Sequence, residues 1–211
     1  GFHDSKSVHI MTELEKLAYA DRAIHLGDAD FYNVPVNQLI KKEYIIKRSE
    51  KISHNKASSS DSIYSGNFIE SEQTTHFSIV DGDGNAVSVT TTLNGAYGSK
   101  VVVDGAGFIL NNEMDDFSSK PGVPNMYGLL GSEANKIEPG KRMLSSMTPT
   151  IVEKDGNLFM VLGTPGGSTI ITSVFQTILN VVEFNMNIDQ AISACRIHHQ
   201  WKPDLIYMED G

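Results

Sequence analysis

The 211-residue sequence holds one cysteine, Cys195, and a single thiol excludes an internal disulfide and any cysteine-based zinc cluster. No apolar run approaches the ~20 residues that a membrane-spanning helix requires. Cationic side chains are the minority: 17 Lys and Arg stand against 26 Asp and Glu, and the resulting net charge of −9 argues against a nucleic-acid surface. An initiator methionine is missing too. The chain opens Gly1-Phe2-His3, and its first strong element reads as the middle of a fold, so both ends are expected to be cut. What is present is an acidic chain with 40% apolar residues, long enough for one sizeable domain or a generous piece of a larger one.

Val8, Met11, Leu14, Leu17, Ala18, Ala20 and Ile24 recur at helical spacing and predict a helix over 7–26, with Gly27 as its stop. A second helix is expected from about 36 to 52, capped by Asn37, on the weaker stripe of Leu39, Ile40, Tyr44 and Ile45. Residues 54–73 are rich in Ser, Asn, Asp and Lys with few apolar anchors, the composition of an exposed linker open to processing. Phe77, Ile79, Val87 and Val89 alternate around Asp81-Gly82-Asp83-Gly84-Asn85 and predict a hairpin. Residues 107–110 read as a short buried strand entering Asn111-Asn112-Glu113-Met114-Asp115-Asp116, a polar run that suggests a lined pocket. The Gly-, Pro- and Asn-rich stretch 121–140, with Tyr127 and Leu129-Leu130 embedded, reads as a long surface loop and a lid. A second hairpin is expected from 148–153 and 158–162 around Asp155-Gly156, leading into Gly163-Thr164-Pro165-Gly166-Gly167-Ser168. Ile170, Ile171, Val174, Phe175, Ile178, Leu179 and Val182 then form one helical face capped by Ser168, Asn187 caps a short helix through Ala194, and 205–208 reads as a strand. This order of elements predicts a layered α+β architecture.

The chemistry centres on Gln73-Thr74, where loose chain meets a strand. A threonine freed as a chain's first residue carries both a hydroxyl nucleophile and an α-amine that can serve as its base. Amides at a Gly-Gly turn that opens a helix, as at Gly166-Gly167, can hold a developing oxyanion, worth ~3 kcal/mol per donor in acyl-transfer enzymes. Other motifs carry less. Asp81, Asp83 and Asn85 imitate the start of a calcium loop, but Ala86 and Thr92 occupy the positions that need Gly and Glu. No Lys-Ser or Lys-Thr pair follows the glycines at 163–168, so the phosphate-loop pattern fails. His198-His199 lack an acidic ligand pattern and suit a structural role, and His76 shares a strand with Thr74 too closely to be its base. Glu113, Asp115 and Asp116 lie too near one another for a glycosidase pair and better suit a substrate ammonium group.

Taken together, Thr74-Thr75-His76-Phe77-Ser78, Leu110-Asn111-Asn112-Glu113-Met114-Asp115-Asp116-Phe117, Lys120-Pro121-Gly122-Val123-Pro124-Asn125, Leu144-Ser145-Ser146-Met147 and Pro165-Gly166-Gly167-Ser168 resemble γ-glutamyltranspeptidase, an N-terminal-nucleophile hydrolase. The resemblance extends to Tyr19-Ala20-Asp21-Arg22 and His198-His199-Gln200-Trp201. It implies autocleavage between Gln73 and Thr74, with 1–73 the tail of a large subunit, 74–211 most of a small one, and an incomplete four-layer αββα sandwich. It also implies Thr74 as nucleophile, Thr92 as its positioning partner and the Gly166-Gly167 amides as the oxyanion hole. Asn94, Glu113 and Asp116 would hold the substrate ammonium, Ser145 and Ser146 its carboxylate, and Tyr127 would sit in the lid.

The implied activity is hydrolysis or transfer of γ-glutamyl groups from peptides such as glutathione to water or an amino acid, with no cofactor and no metal. The rest of the large subunit is the implied partner and supplies the arginine for the substrate carboxylate. Periplasmic or extracellular location follows from the resemblance alone. Departures from the family pattern are Thr169 where arginine commonly stands, Met143 where proline is usual, and Cys195 where proline usually precedes Arg196. Two other readings stay open: a poly-γ-glutamate or glutaryl-type acylase of the same superfamily, and an unprocessed, inactive interaction module.

Overall fold

Asp4 starts the first helix by accepting from the Ser7 backbone N–H at 2.7 Å, and α1 then runs Ser5–His25, as the periodicity predicts. The computed structural model describes residues 1–60 and 74–209. Arg22 and His25 lie in the last turn of α1, where cations face the negative end of the helix dipole. Gly27 follows where a side chain would collide with the carbonyl of Ala134, so the chain can leave α1 along this path only without a Cβ. The expected second helix is two: α2, Val36–Leu39, and α3, Lys42–Ser49, separated where Lys41 takes an extended conformation. Pro35, not Asn37, stands at the N-cap of α2. Pro35 cannot donate an N–H, which suits a helix entry, and the exposed Ile40 gives no packed stripe to carry one helix through the junction.

Two hairpins form the framework of the sheets. Strand β1, Thr74–Val80, pairs antiparallel with β2, Ala86–Thr92, and β3, Thr150–Lys154, pairs with β4, Asn157–Leu162. Asp81 closes the first turn, accepting from the Asp83 and Asn85 amides at 2.9 and 2.8 Å, and Asp155 and Gly156 close the second, both at positive φ. Ser88 joins the hairpins: its hydroxyl donates to the Leu162 carbonyl at 2.9 Å and accepts from the Thr150 amide at 3.1 Å. Helix α4, Ile170–Val182, and α5, Ile188–Ser193, follow, and a short pair of β5, Ile197–His198, with β6, Tyr207–Met208, ends the described chain. Asn187 caps α5 in a capping box with Gln190. Ser168 does not cap α4. A single 3-10 turn, Gly167–Thr169, intervenes and moves the cap position to Thr169. The described chain is therefore α+β.

Three expectations about loops are corrected. Residues 107–110 are no buried strand: they fold back on 99–103 through Leu110 N–H to Val101 and Val103 N–H to Phe108 bonds, both 2.9 Å, and leave Phe108 and Leu110 exposed. The stretch 121–140 is a loop at the surface as expected, but it is not exposed throughout: Tyr127 and Leu129 are buried and pack with Tyr19 of α1, against Ile171 and Trp201. The linker at 54–73 is not uniformly exposed, since Ser60 is buried and bonded to Asp204 through both its N–H and its hydroxyl at 2.9 Å. In each case long-range partners decide the outcome, which composition does not report. Residues 61–73, with the rest of the expected linker and Gln73, lie outside the described residues.

Candidate active site around Thr74

Thr74 opens β1 directly opposite Thr92, the last residue of β2, and donates to its hydroxyl at 3.2 Å. Because successive strand residues alternate faces, Thr74, His76 and Ser78 share one face with Thr92, Thr90 and Ser88. His76 turns Nδ1 to Thr90 Oγ1 at 2.9 Å and Nε2 to Ser78 Oγ at 3.0 Å, so both ring nitrogens are engaged away from Thr74. Burial lowers its pKa and favours the neutral ring. Thr92 Oγ1 also accepts from the Asn94 amide at 3.0 Å, which fixes the hydroxyl that faces Thr74.

Asn94 carries the network onward. It is buried at a φ of +72°, a left-handed conformation that Asn tolerates, and its Nδ2 donates to the Asn112 carbonyl at 3.2 Å. The Tyr127 hydroxyl donates to the Asn94 carbonyl at 2.8 Å, and a Cβ on Gly167 would lie 3.1 Å from the Tyr127 ring. Hydrogen bonds and packing thus run from Thr74 through Thr92, Asn94 and Tyr127 to the Gly-Gly turn. Gly166 and Gly167 have φ of +137° and +58°, conformations that free their amides from the helical pattern before α4 begins. Tyr19 of α1 holds the same turn by donating to the Ser168 carbonyl at 2.6 Å.

A second cluster supplies opposite charges. Glu113 and Asp116 occupy a 3-10 turn, Glu113–Asp116, and burial raises the pKa of both, carrying Asp116 to about 7. Glu113 and Asp115 add to the rise at Asp116, and the Arg22 charge opposes it. Arg22 reaches Ser146, donating from Nη2 to Oγ at 2.9 Å, while Ser145 Oγ accepts from the Met147 amide at 3.0 Å. Each serine oxygen accepts a bond through a lone pair and keeps its hydroxyl proton as a donor. Among the described residues no group of three or more His, Cys, Asp or Glu is placed to hold a metal, and no helix is long and apolar enough to cross a membrane.

His198 and His199 stand apart from this cluster. His198 bonds Thr172 at 2.8 Å and Gln200 at 2.9 Å, burial pushes its pKa down to about 4, and His199 pairs with Asp204 at 3.2 Å. Tyr19 and Arg22 are the residues that sequence reasoning left without a role. Their motif was visible, but their partners lie 149 and 124 residues further along the chain.

The family profile described as gamma-glutamyltranspeptidase matches residues 1–211. The glutathione hydrolase proenzyme of Pseudomonas aeruginosa is 52% identical over 208 residues, 98% of this chain and 37% of that protein. A crystal structure of a Helicobacter pylori gamma-glutamyltranspeptidase mutant superposes with a TM-score of 0.63 at 61% identity, covering 64% of this chain and 73% of that one. A cephalosporin acylase from Bacillus halodurans superposes with a TM-score of 0.75 at 25% identity, covering 94% of this chain and 34% of that one. The chain spans a little over a third of the Pseudomonas aeruginosa protein's length, and across that span, from the α1 motif to the strand after His199, it belongs to the gamma-glutamyltranspeptidase family.

Proposed function

We propose that this chain is the junction and nucleophile-bearing part of a γ-glutamyl hydrolase and transferase, acting on γ-glutamyl amides such as glutathione after cleavage between Gln73 and Thr74. The observation that carries the reading is the Thr74 hydroxyl set 3.2 Å from Thr92 at the mouth of β1. Scission frees the Thr74 α-amine, whose unperturbed pKa of about 7.7 to 8.0 leaves a neutral fraction near pH 7 to take the hydroxyl proton. The Thr74 oxygen attacks the γ-carbonyl carbon, the negative charge gathers on the carbonyl oxygen, and the Gly166 and Gly167 amides donate to it. Collapse expels the amine half of the substrate, which takes a proton, and leaves a γ-glutamyl ester on Thr74. Water or an amino acid then attacks the ester and restores the hydroxyl.

Asn94, Glu113 and Asp116 hold the α-ammonium in this scheme, and Ser145 and Ser146 donate to the α-carboxylate. Tyr127 acts behind the site as a strut between Asn94 and Gly167. The fold to which these elements belong is the four-layer αββα sandwich of N-terminal-nucleophile hydrolases. Phe77 and Ile79, 45% and 56% exposed on the outer face of β1, support a further layer over this sheet. The remainder of the large subunit is the partner that supplies it, and a periplasmic or extracellular location belongs to the same reading.

Mass spectrometry of the full-length protein tests the cleavage. Wild type is expected to show a break between Gln73 and Thr74, and Thr74→Ala to remain intact and inactive; an intact wild type would sink the proposal in favour of an inactive interaction module. A glutaryl-type acylase is the alternative, which the 52% identity to a glutathione hydrolase proenzyme against 25% to the cephalosporin acylase does not favour. Turnover of a glutaryl anilide, which lacks the α-amine, at a rate matching the γ-glutamyl anilide would favour it.

A further inference from the structure

Arg22 belongs to α1, in the segment that precedes the Gln73–Thr74 junction, yet its guanidinium enters the cluster formed by the segment that follows it. Its Nη2 donates to Ser146 Oγ at 2.9 Å. It also lines, with Asp116, Asn125, Asn135 and Leu144, a cavity of about 20 Å³, room for little more than one water. A guanidinium only donates, so Ser146 must accept from it, and the serine proton is forced toward another acceptor. The guanidinium's positive charge also acts on Asp116, where it opposes the rise in pKa that burial produces.

We propose that Arg22 is a positioning and specificity residue, which holds Ser146 as an oriented donor to the substrate α-carboxylate and thereby selects acyl groups that carry both an α-carboxylate and an α-ammonium. The proposal rests on the γ-glutamyl reading above and adds a residue from the other side of the scissile bond. Arg22 touches no reacting atom and acts through Ser146. A purely structural role, closing the end of α1, would predict equal losses on every substrate. A positioning role predicts a loss that follows the carboxylate.

The test uses the full-length, processed protein as wild type, Arg22→Gln, Arg22→Lys, Ser146→Ala and the Arg22→Gln/Ser146→Ala double variant. The probes are γ-glutamyl anilide and 4-aminobutanoyl anilide, which lacks the α-carboxylate; where the latter is not turned over, its inhibition constant supplies the same comparison. Arg22→Gln is expected to lower kcat/KM for γ-glutamyl anilide by about 10- to 100-fold, chiefly through KM, and to change the other probe less than about threefold. The double variant is expected to be no worse than the poorer single one, because both remove the same interaction. Arg22→Lys, which keeps the charge without the planar fork, should recover part of the loss. Equal losses on both probes, or additive losses in the double variant, overturn the proposal. If Arg22→Gln fails to fold or process, Arg22→Lys carries the comparison, and an unchanged ratio between probes overturns it. A wild type that ignores γ-glutamyl anilide defeats the functional reading itself, before any variant is compared.

Discussion

Asp116 shows how one residue's environment sets its use. Burial raises its pKa first, Glu113 and Asp115 push the same way, and only Arg22 opposes them, with a result of about 7. An ammonium group binds best to the ionised carboxylate, so kcat/KM for γ-glutamyl anilide is expected to fall below a pH of about 7 as Asp116 takes a proton. Asp116→Asn should cost about 10- to 100-fold of kcat/KM at pH 8, as expected for a charge-assisted bond, and the cost should shrink below a pH of about 7, where only the acid limb of the Thr74 amine remains. The stability sign is opposite to that of an ordinary salt-bridged carboxylate. The folded pKa lies above the ordinary 3.8, so the folded state binds more protons between those values and stability declines as pH rises through them. Asp116→Asn should therefore melt higher than wild type at pH 8, with a gain that shrinks as the pH is lowered toward 3.8. A gain that does not vary with pH would refute the burial argument.

At the scale of elements, the Gly166-Gly167 turn is held from two sides, by Tyr19 on the Ser168 carbonyl and by the Tyr127 ring against Gly167. Gly167→Ala puts a Cβ at a φ of +58° and 3.1 Å from that ring. The left-handed conformation alone costs about 1–2 kcal/mol, so a lower melting temperature with a larger drop in kcat than in 1/KM is expected from calorimetry and kinetics. Both hairpins were legible in the sequence because a period of two flanked residues that accept positive φ, such as Asp155-Gly156. Helix α4 and the Asn187 cap were legible for the same kind of reason, a local pattern with a local cause. The order of family motifs along the chain is the signal that points to Thr74, Thr92 and the glycines. What was not legible depended on distant partners. Tyr127 looked like a lid residue because its neighbours are Gly, Pro and Asn, but its place is decided by Tyr19 and Asn94. Arg22 reads as a helix-terminal cation until Ser146 is brought to it.

Across the whole molecule, the two sides of the proposed scissile bond are joined by an ionic clamp. Lys16 Nζ of α1 reaches Glu13 at 3.0 Å, Asp204 at 3.2 Å and the Ser58 carbonyl at 2.7 Å, and Asp204 also accepts from Ser60. Glu13 completes it by accepting from the Ser58 amide at 3.1 Å. The clamp secures the chain just ahead of the cleavage segment, so cutting after Gln73 would leave a tail anchored at Ser60 to the other product. The Asp204 side chain is 42% exposed and that of Lys16 only 9%, so solvent screens one end of the pair and about 1 kcal/mol is a reasonable ceiling for the ion pair itself. Burial opposes ionisation of Asp204, but the bonds from Ser60 and Lys16 prevail and hold its pKa down to about 2. The stability it contributes is therefore present above the ordinary 3.8 and lost as pH falls toward 2. Asp204→Ala removes a partner from Lys16, the contact with His199 and both bonds to Ser60, and among the described residues Asp204 makes no bond to Thr74, Thr92 or the Gly-Gly turn. Turnover at pH 7 is expected to stay near wild type, while proteolysis near Ser60 quickens about fivefold, the population change that 1 kcal/mol of local opening produces. Unchanged proteolysis would mean that the clamp does not secure this stretch, and a matching fall in turnover would mean that its influence extends to the nucleophile.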